Sequence, residues 1–376
     1  MASVSTDAIR AALASVKDPE IRRPITDLDM VKSVEVDGGR VAVEIWLTIS
    51  GCPMREQLTR DVTAAVSAVD GVQQVEVRLD VMSDQQRQAL REKLRGPQAA
   101  REIPFALPGS LTRVYAVASG KGGVGKSSVT VNLAAAMAAD GLAVGVVDAD
   151  VYGFSVPRML GVDSSPTRVD EMILPPVAHE VKVISIGMFV PGNSPVVWRG
   201  PMLHRALEQF LADVFWGDLD VLLLDLPPGT GDIAISVGQL LPSAEILVVT
   251  TPQRAAAEVA ERAGAVALQT RQQVVGVVEN MSWLEQSDGT RLELFGSGGG
   301  QVVADSLSRA IGTRVPLLGQ VPLDLALREG GDTGTPVVVA RPEAPAAEAL
   351  REVARTLSGR ARGLAGRRLG LTPVSR

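Results

Sequence analysis

Gly120-Lys121-Gly122-Gly123-Val124-Gly125-Lys126-Ser127 sets glycines, two lysines and a hydroxyl at fixed spacing. The order fits G-x-x-x-x-G-K-[ST]. In that pattern glycines let the backbone turn tightly and aim its N–H groups at phosphate oxygens. Lys126 then reaches the β- and γ-phosphates and the Ser127 hydroxyl ligates Mg²⁺. Such a loop needs a strand before it and a helix after it. Val114–Ala118 is a short apolar, β-rich run, and 128–139 is alanine-rich and suited to a helix. The positive end of that helix dipole falls at the phosphates. The candidate nucleotide-contacting residues are Gly120, Lys121, Gly122, Gly123, Val124, Gly125, Lys126, Ser127 and Ser128.

Two further segments supply carboxylates. The strand 143–148 ends in Asp148-Ala149-Asp150, at the carboxyl edge of the sheet where open α/β folds bind ligands. Asp148 is a candidate Mg²⁺ ligand, with helix capping or a loop salt bridge as its other reading. Asp150 is the candidate for orienting or activating the attacking water, because phosphoryl transfer needs positioning and charge stabilisation more than covalent chemistry. Val221-Leu222-Leu223-Leu224-Asp225 is four apolar residues and an aspartate, and Asp225 would hold Mg²⁺ through water. Gly229 and Gly231 follow in a loop whose N–H groups could sense a γ-phosphate.

The elements that position these groups are legible as alternation. From Thr112 onward, apolar strands at 114–118, 143–148, 181–186, 221–225, 246–250, 274–279 and 317–321 alternate with helical segments. That pattern predicts an α/β, doubly wound, mostly parallel sheet of the P-loop NTPase kind. Residues 1–95 read as a small α+β domain that precedes it. The domain has helices at 6–16 and 53–69, strands at 32–36, 40–48 and 73–79, and a turn at Asp37-Gly38-Gly39. Residues 96–111, with three prolines, predict a linker. The nucleotide domain is expected at 112–358. Residues 359–376, with five arginines, predict a basic, solvated tail.

Composition narrows the class. The 376 residues, 46% of them hydrophobic, suit two domains with sizeable cores. A net charge of −6 leaves no electrostatic footprint for nucleic acid or an anionic membrane. No apolar run reaches membrane-spanning length and no signal-peptide core is evident, so a cytoplasmic protein is expected. The single cysteine, Cys52, excludes an intrachain disulfide. Cys52 precedes a helix start near Pro53, where the dipole favours thiolate, so it is a candidate iron ligand; a buried, inert thiol is the other reading.

Together these motifs resemble the Mrp/ApbC family of iron–sulfur cluster carrier ATPases, within the deviant-Walker class that includes partition and cell-division-site ATPases. The resemblance rests on residues 120–127, 148–153, 195–202, 225–232, Glu279-Asn280-Met281-Ser282 and 295–300, and covers nearly all of the chain except the tail. It implies that Lys121 is the signature lysine, catalytic across an ATP-bound homodimer, and that Asn280 meets the adenine base, with helix capping as the alternative. No N-K-x-D pattern is present, which favours ATP over GTP. The small domain resembles the iron–sulfur assembly domain fused to this family, through Asp18-Pro19-Glu20, Asp27-Leu28 and Ser50-Gly51-Cys52-Pro53.

The implied function is ATP hydrolysis, of modest turnover, coupled to assembly or transfer of an iron–sulfur cluster. The implied partners are client apoproteins and assembly machinery, with no nucleic acid and no membrane. One departure stands out. Many family members carry two cysteines between the Glu-Asn-Met strand and the Phe-Gly segment, and this chain has Ser282-Trp283-Leu284-Glu285-Gln286-Ser287-Asp288-Gly289 there. A four-thiolate cluster needs more cysteines than a dimer of this chain owns. His179 and His204, the two histidines, show no spacing that joins them to Cys52. A partition-type ATPase and a cluster-free assembly chaperone or scaffold are the alternative functions.

Overall fold

A computed structural model describes the chain except residues 1–3, 49–53, 96–101, 152, 190–199, 230, 254–261, 263–265 and 360–376. Cys52, most of the 195–202 motif and the basic tail therefore lie outside the described residues. The strands in chain order are β1 (Val31–Asp37), β2 (Arg40–Leu47), β3 (Gln74–Val81), β4 (Arg113–Ala118), β5 (Val144–Asp148), β6 (Thr167–Val169), β7 (Met172–Leu174) and β8 (Val177–Ala178). They continue with β9 (Val181–Ser185), β10 (Val221–Asp225), β11 (Glu245–Thr250), β12 (Val274–Asn280), β13 (Leu284–Glu285), β14 (Arg291–Leu292) and β15 (Leu317–Val321).

The chain forms two compact units, and membership is discontinuous in sequence. The smaller comprises Met1–Glu102, Ser164–Val177 and Asp213–Phe215. Its sheet pairs β1 with β2 antiparallel, closed at Asp37↔Arg40 over Gly38 at φ +57°, and β2 with β3 in parallel. A parallel neighbour requires a crossover, which the helix Arg55–Ser67 supplies. Leu58, Val62 and Val66 recur along that helix at one-turn spacing and are buried. Strand β2 alternates, with Val41, Val43, Ile45 and Leu47 turned inward. The helix Thr6–Leu13 starts at Ser5, whose hydroxyl accepts from the Ala8 N–H at 3.1 Å. Val169, Met172, Leu174 and Phe215 join this same core, so the hairpin β6–β7 completes the small unit although its sequence neighbours belong elsewhere.

The larger unit comprises Ile103–Asp163, Ala178–Ala212 and Trp216–Arg376. Its sheet runs β15-β12-β11-β4-β10-β5-β9-β8, and every recorded pairing from β15 through to β9 is parallel. All the anticipated strands of this domain are in it. Strands β5, β9, β10 and β12 are buried at every residue, as helix cover on both faces demands. From β4 the chain crosses beyond β10 to β5, whereas from β10 it passes over β4 to β11, so the winding direction switches beside β4.

The helix Lys126–Ala139 leaves that switch point. It is apolar on all sides because it is packed between the sheet and the helix Pro345–Gly359. Arg113 Nη1 donates to the carbonyls of Leu357 at 2.7 Å and Ser358 at 2.8 Å, and Tyr115 donates to Leu357 at 3.0 Å. These bonds satisfy carbonyls at the end of that helix, which would otherwise lack partners. In the segment expected as a linker, Pro104–Ala106 forms a 3₁₀ turn, and Phe105 is buried edge-on against Trp216 at 6.4 Å.

Candidate nucleotide-binding site

The phosphate loop leaves β4 at its carboxyl end and enters the helix at Lys126. Gly123 and Gly125 sit at φ +77° and +78°, the left-handed region that favours glycine. Gly125 is doubly constrained. A Cβ on it would lie 2.2 Å from Asn280 Nδ2. An open cleft of about 510 Å³ is lined by residues 121–128 with Ser119, Asp150, Ser155, Met159 and Pro228.

Behind the loop, Asp225 at the end of β10 is fully buried and organises the cations and hydroxyls. Its Oδ2 lies 2.7 Å from Lys126 Nζ and accepts from Ser127 Oγ at 2.6 Å. Its Oδ1 accepts from Thr130 Oγ1 at 2.8 Å. The structure thus brings together Lys126, Ser127 and Asp225, which the sequence placed in one site. Thr130 was missed, although it lies on the same helix face one turn beyond Lys126, a spacing that could have exposed it.

The two aspartates after β5 separate in role. Asp150 lines the cleft, and its Oδ1 accepts from the Gly153 N–H at 3.1 Å. Asp148 is not a lining residue; it is fully buried beneath the loop. It accepts from the N–H groups of Asp150 at 3.1 Å and Val156 at 3.3 Å and from the Ser185 hydroxyl at 3.2 Å. Burial, reinforced by the negative charge of Asp225 and only partly offset by the two N–H bonds, holds its carboxyl well above the ordinary range. Val156 opens the short helix Val156–Met159, so the bond to its N–H is a capping contact.

Across the cleft, Gly229 at φ +92° donates its N–H to the Ser119 carbonyl at 2.8 Å, tying the loop after β10 to the first turn of the phosphate loop. Lys121 Nζ donates to Gln253 Oε1 within its own chain. Asn280, 2% exposed at the end of β12, donates from Nδ2 to the Val124 carbonyl at 2.9 Å. Among the described residues its Oδ1 has no hydrogen-bond partner, nor do the hydroxyls of Thr250 and Thr251 at the end of β11. Asn280 therefore braces the phosphate loop from beneath.

The remaining motif residues have packing reasons. Glu279 Oε2 accepts from the Gly300 N–H at 2.6 Å, in the first turn of the helix Gly299–Ile311. Its Oε1 accepts from Gln320 at 2.7 Å. A Cβ on Gly299 would lie 2.6 Å from the backbone of Thr251 and Pro252, so only glycine fits. Residues 284–292 form the β13–β14 hairpin. It turns at Asp288, which accepts from Thr290, and Arg291 lies 4.0 Å above the Trp283 ring. Among the described residues no group of three or more His, Cys, Asp or Glu is placed to hold a metal. His179 contacts the Gly334 carbonyl at 3.1 Å.

No helix among the described residues is long and apolar enough to cross a membrane.

Residues 110–358 match the family model described as NUBPL iron-transfer P-loop NTPase, and residues 6–79 match the one described as iron-sulfur cluster assembly protein. The chain is 65% identical over 370 residues to the iron-sulfur cluster carrier protein of Mycobacterium tuberculosis, covering 98% of this chain and 97% of that one. It is 40% identical over 323 residues to the iron-sulfur cluster carrier protein of Bacillus subtilis, covering 85% and 88%. Among solved structures it resembles a nucleotide-binding protein from Archaeoglobus fulgidus in complex with ADP. That match has 35% identity and a TM-score of 0.54, over 66% of this chain and 96% of that one. The chain belongs to the iron-transfer P-loop NTPase family, with an iron-sulfur cluster assembly domain on its amino-terminal side.

Proposed function

We propose that this protein is a cytoplasmic, homodimeric, Mg²⁺-dependent ATPase that assembles iron–sulfur clusters or delivers them to client apoproteins, without nucleic-acid or membrane partners. The observation that carries the ATPase half is the convergence of Lys126, Ser127 and Asp225 behind a cleft floored by the phosphate loop. The cluster half rests on the carrier relatives and on the fused assembly domain.

The donor set fits Mg²⁺, which takes oxygen ligands and uses one or two carboxylates with phosphates and waters. Ser127 would ligate it and Asp225 would hold it through water, and when bound the ion neutralises charge on the β- and γ-phosphate oxygens. Lys126, already 2.7 Å from Asp225, needs only to turn toward the cleft to reach those oxygens. The backbone N–H groups of residues 122–128 cradle the phosphates. Asp150, at the cleft wall, orients the attacking water. Asp148 shapes the segment that presents Asp150, through the Asp150 and Val156 N–H groups. Asn280 would offer Oδ1, an acceptor suited to the amino group of adenine, and must turn outward from 2% exposure to do so.

Lys121 leaves Gln253 and reaches the phosphates of the partner subunit, so the nucleotide sets the dimer and the dimer sets affinity for cluster or client. The cargo is held through Cys52 together with thiols from outside this chain, because one cysteine per chain cannot complete a four-thiolate cluster.

The test is nucleotide binding, hydrolysis and light-scattering mass on one set of variants. Lys126→Ala abolishes binding. Lys121→Ala binds ATP, hydrolyses it at background rate and stays monomeric with ATP. Undiminished hydrolysis in the Lys121 variant removes the cross-dimer step.

A further inference from the structure

The hydroxyl of Thr130 is fully buried and faces two acceptors, Asp225 Oδ1 at 2.8 Å and the Lys126 carbonyl at 3.0 Å. A hydroxyl has one proton to give. The Lys126 carbonyl is one turn back on the same helix, where a helical N–H also reaches it. The carboxylate is the stronger acceptor, and a bond to it is charge-assisted. The Thr130 hydroxyl therefore donates to Asp225 Oδ1. Threonine is stiff about χ1, and Thr130 sits in the second turn of a helix buried on every side, so this donor is fixed in place.

The consequence lies at the opposite oxygen. With Oδ1 held by Thr130, Oδ2 is the atom turned toward Lys126 Nζ and Ser127 Oγ. A carboxylate free to rotate would present either oxygen, or both, and would be drawn toward the other donors near the loop. Asp148 does not supply this control: among the described residues its carboxyl is bonded to the Asp150 and Val156 N–H groups and the Ser185 hydroxyl, with no hydrogen bond to Asp225.

We propose that Thr130 is a positioning residue that locks the Asp225 carboxylate with Oδ2 toward the Mg²⁺ side of the phosphate loop. The assignment rests on the Mg²⁺–nucleotide reading of this cleft and extends it by one residue outside the phosphate-binding motif. Thr130 touches neither metal nor nucleotide and acts only through Asp225.

The test compares wild type, Thr130→Val and Thr130→Ser in the full chain, using a fluorescent N-methylanthraniloyl ATP titrated in Mg²⁺ and in EDTA, with a melting curve for each variant. Valine keeps the branch and the packing but removes the donor; serine keeps the donor. Wild type binds more tightly with Mg²⁺ than in EDTA. Thr130→Val loses about tenfold of that enhancement, the size of one charge-assisted hydrogen bond, while its affinity in EDTA equals wild type. Thr130→Ser keeps the enhancement within about twofold. Equal loss with and without Mg²⁺ would mean that Thr130 only supports the fold, and an unchanged enhancement in Thr130→Val would mean that it does not set the carboxylate; either overturns the assignment. A wild type that binds equally well in Mg²⁺ and EDTA overturns the reading of the cleft itself, and the Thr130 assignment with it.

Discussion

Lys126 and Asp225 form a buried ion pair, Nζ to Oδ2 at 2.7 Å, with side chains 6% and 0% exposed. Removing one member of such a pair strands the other charge out of water. Asp225→Asn should destabilise the larger unit by about 3 kcal/mol. Lys126→Met should cost less, because Ser127 and Thr130 still donate to the carboxylate. The double variant should recover at least 1 kcal/mol relative to the sum, as expected for contacting residues. Denaturant unfolding of the four proteins measures this; strict additivity would show that the pair is not coupled.

Gly125 and Asn280 compete for one volume. Gly125→Ala adds a Cβ 2.2 Å from Asn280 Nδ2 at a backbone φ of +78°, so backbone strain and the displaced bond to Val124 should lower nucleotide affinity about tenfold or more. Gly125→Ala with Asn280→Ala should bind better than Gly125→Ala with Asn280 intact, since the clash is gone and what remains is the φ strain and the loss of the Asn280 contacts. Isothermal titration with ADP distinguishes the two. No recovery in the double variant would place the damage in the backbone alone.

Glu20 makes the small unit sensitive to pH. Its side chain is 6% exposed, and burial, partly offset by the Thr167 hydroxyl at 2.5 Å and reinforced by Asp18, pushes it up to about 7 from 4.5. The folded state then binds the proton more tightly than the unfolded chain. The associated stability is complete below 4.5 and is lost as pH rises through about 7, amounting to roughly 3 kcal/mol. Glu20→Gln keeps an acceptor for Thr167 and should flatten this part of the stability profile. Chemical unfolding of both proteins across that window checks it; identical slopes would mean that Glu20 is not the titrating group.

The carboxyl end of the helix Pro345–Gly359 depends on Arg113. Arg113→Met keeps the stem and removes the donors to Leu357 and Ser358, leaving Tyr115 as the remaining side-chain donor to Leu357. A loss of about 1 to 2 kcal/mol is expected, with amide exchange accelerated first at the end of this helix. Exchange that rises uniformly across the sheet instead would rule out a local clamp.

Much of the larger unit was legible in sequence because its strands are continuous apolar runs between helices, and the phosphate loop, Ser127 and Asp225 follow from motif and strand end. The hairpin β6–β7 was not. Its strands are three residues each, too short to show a period, and the core it joins includes Ile9, Leu13 and Val43, more than a hundred residues away. The helix Asp84–Arg95 escaped for another reason: its sequence is nearly all polar, and Leu90 alone is fully buried among its described side chains. At the site, sequence gave Asp148 and Asp150 similar weight, because both follow β5. Only the path of the chain shows Asp148 turned beneath the loop and Asp150 onto the cleft. Asn280 could be placed near the nucleotide by its strand end. That its Nδ2 is committed to Val124 depends on the parallel packing of β12 beside β11, and of β11 beside β4.

The central claim is that this ATPase carries a cluster. The direct measurement is anaerobic reconstitution with iron, sulfide and glutathione as the outside thiol, with and without ATP, followed by transfer to an apo-ferredoxin, comparing wild type with Cys52→Ser and Lys126→Ala. The account predicts that wild type takes up iron with cluster absorbance and activates the acceptor, that Cys52→Ser takes up none, and that Lys126→Ala loses the response to ATP. Iron uptake at background level in wild type, or uptake and transfer equal in Cys52→Ser, would contradict it.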